Sequence, residues 1–300
     1  MLSGPSAPPP ETAPADHGRR PRVVYVMGAG RSGSTILGIT LGNCEGVFFA
    51  GELARWHRRA GEPLAGAERE QFWSAVRERM GAEGESLGPE VRCLQQSAAA
   101  FDIGGWPAQR RLRGRYRRVT EDLYRAIART AEATHIVDTS HFPRRARELQ
   151  ALSGIDLYLL LLVRDPQSIV AAHARTDVVQ GPGFGTLTTN AYLWLTYLLS
   201  LLVFLRHPRK RRLLVRYEAF IANPEVVLQE ILDQIEAPAA IPDLQALRTN
   251  VGFLGNRVLE ADVVTLKRQL EPPAHRSRVT TFLQLPWRVV FSRLRPAVSG

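Results

Sequence analysis

The fold is decided by a stretch near the start of the chain, VVYVM (Val23–Met27) followed by GAGRSGST (Gly28–Thr35). The first five residues are β-branched, aromatic or apolar and predict a buried strand. The glycine and serine cluster predicts a tight turn, and the apolar pair Ile36 and Leu37 begins a helix. Glycines let the backbone approach an anion closely, and successive N–H groups at a helix start form an anion-binding nest. Gly30 to Thr35 are therefore a candidate anion site.

The turn nearly matches the nucleoside-triphosphate P-loop, G-x-x-x-x-G-K-[ST], but Ser34 stands where that loop has lysine. Its cation, Arg31, lies two residues before the second glycine instead. This shift suits a shorter ligand end such as a 5′-phosphosulfate, with fewer charges and no magnesium. The alternative is a glycine-rich turn that binds nothing, although an arginine and three hydroxyls are unusual filler for such a turn.

Other short apolar runs alternate with helical patterns along the chain. The clearest helix is Tyr116–Thr130, with an apolar stripe. Strands that alternate with helices predict one α/β domain, a P-loop-like parallel sheet of about five strands flanked by helices. Ligands bind beyond the carboxyl ends of such strands. The further strand candidates are Val47–Phe49, His135–Val137, Leu157–Val163 and Leu213–Tyr217.

Composition leaves several partner classes open. The 300 residues carry a net charge of +10, and the only lysines are Lys210 and Lys267. Such an excess of arginine suits phosphate or sulfate ligands, nucleic acid or an anionic membrane, or reflects an arginine-biased genome. The two cysteines are far apart and have no metal-ligand spacing, which predicts a cytoplasmic protein. Residues 1–20 are rich in Pro and Ala and predict a disordered tail, not a signal peptide.

The longest apolar run is Ala191–Leu205, 15 residues long. It is shorter than the roughly 20 residues that span a bilayer, and a buried helix is the simplest interpretation. An interfacial helix with peripheral membrane contact is the alternative, because basic residues follow the run directly. They are His207, Arg209, Lys210, Arg211 and Arg212.

Several segments together resemble the sulfotransferase superfamily, in particular its bacterial, tyrosylprotein-sulfotransferase-like branch. The order and spacing of the matching segments make the resemblance fairly specific. It implies 3′-phosphoadenosine-5′-phosphosulfate (PAPS) as donor and no metal. The segments are GAGRSGST (Gly28–Thr35), VFFAGEL (Val47–Leu53), IVDTSHFPRRARELQAL (Ile136–Leu152), LVRDPQSIVAAHAR (Leu162–Arg175), VRYEAFIANP (Val215–Pro224) and GNR (Gly255–Arg257).

The resemblance assigns donor-binding roles. Arg31 would stabilise charge on the bridging oxygen, and Gly30, Ser32, Gly33, Ser34 and Thr35 would hold the 5′-phosphate. Arg164 and Arg257 would bind the 3′-phosphate. Tyr217 either stacks on adenine or is a core tyrosine. The family often has serine at the position of Ala172, and His173 or Arg175 would compensate for its absence.

Two residues compete as the general base. Glu52 follows the predicted second strand and matches the branch's catalytic glutamate, although it could equally cap a helix. His141 stands where the branch has lysine and could be the base, a sulfate contact or a residue without a role. Asp138 and Ser140 are interpreted as caps of the helix that contains Pro143.

The expected function is sulfuryl transfer from PAPS to a hydroxyl or amine of a small-molecule, glycan or lipid acceptor. Residues 21–300 would form the domain, with helical insertions at about 53–131 and 176–205 that line the acceptor pocket. The alternatives are a P-loop kinase or triphosphatase, with Asp138 holding magnesium, and a basic anion- or nucleic-acid-binding protein. Nucleic acid is disfavoured because no aromatic and basic platform is evident. The oligomeric state stays open. So does the role of the six arginines in Arg110–Arg118, which form either a solvated helix face or a contact for an acidic acceptor.

Overall fold

A computed structural model describes residues 20–59, 64, 66–81, 87–96, 106–174, 185–249, 251–253, 257–270 and 276–294. The predicted disordered tail lies outside the described residues, apart from residue 20. Arg175, Gly255, Asn256 and the side chain of Arg257 also lie outside them.

Five parallel strands form the central sheet in the order β2-β3-β1-β4-β5. The strand that precedes the glycine-rich turn, β1, is central and pairs with β3 and β4. The prediction of a single α/β domain with a five-stranded parallel sheet is confirmed. The strands are β1 (Arg22–Gly28), β2 (Val47–Gly51), β3 (His135–His141), β4 (Asp156–Val163) and β5 (Arg212–Arg216).

Helices cover both faces of the sheet, which explains why β1 is continuously apolar over residues 23–27 and β4 over residues 157–163. Alternate residues of β1 face opposite core layers, with Tyr25 and Met27 in one and Val24 and Val26 in the other. The helices are α1 (Ser34–Gly42), α2 (Trp56–Arg59), α3 (Ala67–Met80), α4 (Arg92–Gln95), α5 (Trp106–Thr130), α6 (Pro143–Leu149), α7 (Pro166–Ala174), α8 (Thr186–Arg206), α9 (Tyr217–Ala222), α10 (Pro224–Gln234), α11 (Arg278–Leu283) and α12 (Leu285–Arg293). A two-stranded antiparallel pair is formed by β6 (Leu247–Arg248) and β7 (Val263–Val264), and short 3-10 helices lie in the connections.

Strand β3 is longer than its sequence predicts. It continues through the polar residues Asp138 to His141, so Asp138 and Ser140 do not cap the following helix. The residue before α6 is Phe142, whose side chain makes no capping hydrogen bond. The interpretation of both polar residues as helix caps was wrong, because buried partners on α5, on α6 and in the turn after β2 bind them instead.

Helix α5 contains the predicted apolar stripe, but it begins ten residues earlier than predicted, at Trp106. Its arginine-rich first half is anchored in part by carboxylates. Arg113 and Arg117 both bind Glu148, and Arg111 binds Glu90. Three of the six arginines in the run are therefore ion-paired within the protein, which favours a structural over a ligand-binding role for them.

Helix α8 extends the apolar run at both ends. By length and composition alone it could cross a membrane, but 44% of its most apolar window is buried against the protein. Leu193, Tyr197 and Phe204 lie on the buried side. The helix is therefore an integral part of the domain, and only one of its faces is exposed.

Candidate active site

The turn after β1 combines two left-handed residues with the start of α1. Arg31 has φ 67° and Gly33 has φ 95°. Gly33 is the N-cap of α1; it provides no side-chain hydrogen bond, and the first turn of the helix contains no acidic residue. The first amides of a helix have no intrahelical acceptors and carry partial positive charge. An arrangement of this kind suits an anion at the carboxyl edge of the sheet.

The end of β4 braces this turn from one side. Arg164 donates from Nη1 to the Arg31 carbonyl at 3.0 Å, and its guanidinium lies 4.4 Å from the centre of the Tyr217 ring. A Cβ on Gly33 would lie only 2.3 Å from that ring. Position 33 therefore requires glycine for two reasons, its positive φ and the close approach of the tyrosine.

Tyr217 is the first residue of α9, so the prediction that it ends a strand was wrong by one residue. Its ring packs between the donor loop, Gly30–Thr35, and Arg164. This contact gives the ring a structural role, and the predicted adenine stacking stays a prediction.

Helices α7 and α8 brace the donor loop from the other side. The hydroxyl of Tyr192 accepts a hydrogen bond from the Gly30 amide at 2.8 Å. The His173 ring lies edge-on to Tyr192 and hydrogen-bonds the Gly30 backbone. Burial and the charge of Arg31 lower the pKa of His173, so this imidazole is neutral near pH 7. The sequence gives no signal for Tyr192, because it lies within the long apolar run of α8 and resembles a core residue there.

Ser32 provides a test of whether the donor loop suits an anion. Its side chain is 1% exposed, and its hydroxyl has no hydrogen-bond partner among the described residues. A buried hydroxyl without a partner needs a ligand, a water or a rearranged neighbour to complete its hydrogen bonding. The loop residues fit the phosphate end of a nucleotide on this ground, in addition to the helix start.

The two candidate bases meet at the edge that the ends of β2 and β3 share. Glu52 follows β2, and its Oε2 accepts a hydrogen bond from Arg55 Nε at 2.8 Å. His141 is the last residue of β3 and has φ 54°. Burial lowers the pKa of His141, while the nearby Glu52 charge opposes that shift. A neutral imidazole and a carboxylate therefore lie near each other, and either is chemically able to accept a proton.

Left-handed backbone marks the candidate site as well. Four residues other than glycine have positive φ in the described ranges. Glu132 and Glu236 follow the ends of α5 and α10, where this conformation is an ordinary helix stop. Arg31 and His141 have no such role. Strained backbone of this kind concentrates at functional sites, and both residues lie at strand ends on the same edge of the sheet.

A buried polar network lies directly behind Glu52 and His141. Asp138 Oδ2 accepts from Tyr124 at 2.7 Å and from Arg145 Nη2 at 3.0 Å, and its other oxygen accepts from the Ser140 hydroxyl. Ser140 Oγ accepts from the Ala54 amide at 2.8 Å. Arg145 and Asp138 are both 0% exposed. The network thus fixes the turn that carries Glu52 relative to β3.

The same contacts exclude a role for Asp138 as a magnesium ligand in this conformation. Both of its oxygens are engaged, and Arg145 neutralises its charge away from solvent. No group of three or more His, Cys, Asp or Glu side chains suited to a metal occurs among the described residues. The kinase alternative loses its proposed metal ligand, and a reaction without metal stays a prediction.

The fold and the donor loop define an α/β protein with a glycine-rich turn at the end of its central strand. A family model described as "Sulfotransferase family" matches residues 21–241. The chain therefore belongs to the sulfotransferase family, and the alternative of a basic anion- or nucleic-acid-binding protein is not supported.

Solved structures agree with this fold. The sulfotransferase domain from the curacin biosynthetic pathway aligns with a TM-score of 0.54 at 16% identity, over 90% of this chain and 98% of that one. The sulfotransferase domain from the Synechococcus PCC 7002 olefin synthase aligns with a TM-score of 0.51 at 18% identity, over 91% of this chain and 96% of that one. No curated protein sequence matches.

Most of the predicted site residues lie on the same edge of the sheet. The donor loop, Arg164 and Tyr217 are in mutual contact, and Glu52 and His141 lie at the neighbouring strand ends. Arg257 begins a short helical turn, and its predicted contact with the 3′-phosphate lies outside the described side chains. Their roles toward a ligand stay predictions. The described residues of the two helical insertions are largely helical, and their role in acceptor binding also stays a prediction.

Proposed function

We propose that this sulfotransferase uses PAPS as donor and transfers its sulfuryl group to a hydroxyl or amine of a small-molecule, glycan or lipid acceptor in the cytoplasm. The carrying observation is the donor loop: the start of α1 has no side-chain cap and no acidic residue, and Arg164, just after the adjacent strand β4, donates to the Arg31 carbonyl. The Arg164 guanidinium contacts this loop, Arg31 belongs to it, and the first turn of α1 contains no carboxylate. That environment suits a ligand with phosphate at both ends of its ribose.

The reaction is an in-line displacement. A new bond forms between the acceptor oxygen or nitrogen and sulfur as the bond from sulfur to the bridging phosphate oxygen breaks. The leaving adenosine 3′,5′-bisphosphate retains the electron pair of the broken bond, and the acceptor's proton passes to the base. In this proposal Arg31 and the α1 amides stabilise the charge that develops on the bridging oxygen.

Glu52 is our first assignment for the base. It follows a strand end on the site edge, and the buried network of Ser140 and Ala54 holds its turn in place. His141 is the competitor, since burial keeps its imidazole neutral and able to accept a proton. Arg55 fixes the orientation of Glu52 through their 2.8 Å contact.

Calorimetric titration with three nucleotides tests the donor. We expect adenosine 3′,5′-bisphosphate to bind at least about tenfold more tightly than adenosine 5′-phosphate, because charge-assisted contacts to a second phosphate contribute about 1.5–3 kcal/mol. Arg164→Gln should weaken the bisphosphate about ten- to hundredfold and adenosine 5′-phosphate clearly less, because both ligands lose the brace on the Arg31 carbonyl but only the bisphosphate loses a contact to its second phosphate. ATP with magnesium should not compete.

The matched control for that variant is Arg118→Gln, an arginine on the exposed face of α5. It should bind all three nucleotides as the unmodified protein does. Tighter binding of ATP with magnesium than of the bisphosphate would contradict the proposed donor and favour a kinase.

Two conservative variants test the base. Glu52→Gln should lower kcat about 10²- to 10⁴-fold, the usual contribution of a positioned base. His141→Asn should lower it about tenfold or less, because asparagine tolerates the positive φ at this position. Bisphosphate affinity should change little in either variant, which controls for the fold.

The pH profile separates the two assignments further. If His141 were the base, activity would fall as pH drops through its lowered pKa, below the ordinary histidine value of about 6.5. Loss of that acid limb in His141→Asn, with a larger kcat effect than Glu52→Gln, would reassign the base. Full activity in both variants would remove both residues from the mechanism.

A further inference from the structure

Helix α8 exposes a continuous apolar stripe. Its large exposed side chains recur at spacings of seven, four, four and three residues, which places them within an arc of about 80° at 100° per residue. Thr186 to Leu205 contain no charged residue at all. The exposed side chains are Leu187, Trp194, Leu198, Leu202 and Leu205.

Helices α11 and α12 extend this stripe sideways. Trp194 donates from its ring nitrogen to the Leu283 carbonyl at 2.9 Å, and its ring packs 4.8 Å from that of Trp287. Large apolar side chains on these two helices also face solvent, and Phe282 is 77% exposed. We name this combined surface the α8–α12 face; it is formed by Leu187, Trp194, Leu198, Leu202, Leu205, Val279, Phe282, Leu285 and Val289.

The two segments that form the α8–α12 face carry charges of one sign only. Residues 186–212 and 276–294 contain nine arginines and lysines and no aspartate or glutamate. Seven of the nine are exposed: Arg206, Arg209, Lys210, Arg276, Arg278, Arg288 and Arg293. Cations beside an exposed apolar surface with a tryptophan complement an anionic lipid headgroup layer above hydrocarbon.

We propose that the α8–α12 face binds the surface of an anionic phospholipid bilayer. The apolar side chains would enter the headgroup region and the arginines would contact lipid phosphates. The opposite side of α8 is packed into the core through Leu193, Tyr197 and Phe204, so the helix lies on the membrane and does not cross it. This proposal does not depend on the identity of the sulfuryl donor.

Membrane binding would also affect the catalytic edge. Tyr192, on the side of α8 away from the exposed stripe, holds the Gly30 amide of the donor loop. The helix that contacts lipid therefore also positions the loop. A bound enzyme would have its donor loop held one helix away from the membrane surface.

Co-sedimentation with vesicles tests the proposal on the full chain. We expect binding to phosphatidylcholine vesicles that contain about 30 mol% phosphatidylglycerol, and none to phosphatidylcholine alone. Binding should weaken as salt rises above about 0.1 M, since the Debye length there is about 10 Å. The double variant Leu198→Glu/Leu202→Glu should bind at least about tenfold more weakly.

A second variant keeps the test independent of the apolar substitutions. Arg206→Gln/Arg209→Gln/Lys210→Gln should also reduce vesicle binding at least about tenfold, because each cation near an anionic surface contributes about fivefold. All variants should retain the thermal unfolding midpoint, since every altered residue is exposed.

Two matched controls define the surface. Val226→Glu changes an exposed apolar residue on α10, and Arg110→Gln/Arg115→Gln/Arg118→Gln removes three exposed cations from α5. Both should bind vesicles like the unmodified protein. Equal losses in the controls would show diffuse attraction of a basic protein and overturn the assignment.

Three further outcomes would overturn the proposal. One is the absence of binding to anionic vesicles. Another is protein that stays with the vesicles in alkaline carbonate, which would show a helix inserted across the bilayer. The third is a dimer by light scattering that Leu198→Glu/Leu202→Glu dissociates, without any vesicle binding, which would make the face a contact between two copies of this chain.

Discussion

The variant Arg31→Asn should have a kcat about 10²- to 10³-fold lower than the unmodified enzyme, the typical effect of removing one preorganised group that stabilises developing charge. Arg31 lies at the tip of the donor loop with φ 67°, and Arg164 fixes its carbonyl at 3.0 Å. Asparagine is among the few residues that tolerate this backbone conformation, so the substitution removes the cation and preserves the turn. The free energy of unfolding should therefore change by less than about 0.5 kcal/mol.

Single-turnover kinetics at saturating PAPS measure the chemical step directly. Arg31→Lys is the matched control, since it retains the charge without the planar fork and should recover part of the rate. Because the charge develops only as the bond to sulfur breaks, affinity for adenosine 5′-phosphate should fall much less than kcat. An Arg31→Asn enzyme with unchanged kcat and a raised KM would restrict Arg31 to donor binding.

The sequence predicted the fold well because strand ends carry its strongest signals. A seven-residue apolar run before Arg164 and a glycine cluster after Met27 both indicate buried parallel strands that end at a ligand edge. Parallel topology then brings those two ends into contact, as the hydrogen bond between Arg164 and the Arg31 carbonyl shows. The local sequence pattern and the parallel topology were therefore sufficient to predict that the donor loop and Arg164 lie together.

The buried polar residues that hold the Glu52 turn in place could not be predicted from the sequence in the same way. Asp138 and Ser140 look like helix caps in the sequence, because Asp and Ser are favoured N-cap residues and Pro143 suits the first turn of a helix. Their true partners, Arg145, Tyr124 and the Ala54 amide, come from segments up to 86 residues away. A polar residue can enter a buried strand only where such partners exist, and no local pattern reports them.

Breaking the buried pair between Arg145 and Asp138 should cause the largest loss of stability of any variant considered. Arg145→Met leaves the Asp138 carboxylate buried without its cation, a change that costs about 3–5 kcal/mol in comparable pairs. For a chain of this length each kcal/mol corresponds to about 2–4 °C, so the unfolding midpoint should fall by about 6–20 °C. Arg147→Met, on the exposed side of the same helix, should shift it by less than about 2 °C.

A double variant distinguishes a lost charge pair from lost packing. Asp138→Asn/Arg145→Met removes both charges and should be more stable than Arg145→Met alone, because no uncompensated carboxylate remains in the core. The carboxamide oxygen at position 138 can still accept from the Ser140 hydroxyl, which in turn accepts the Ala54 amide. The double variant should therefore keep the Glu52 turn in place and retain more activity than the single variant. A double variant no more stable than Arg145→Met would show that the guanidinium acts through its contacts with Tyr116 and Tyr124, including the hydrogen bond from Nη1 to the Tyr116 hydroxyl at 2.6 Å, and not through its pairing with Asp138.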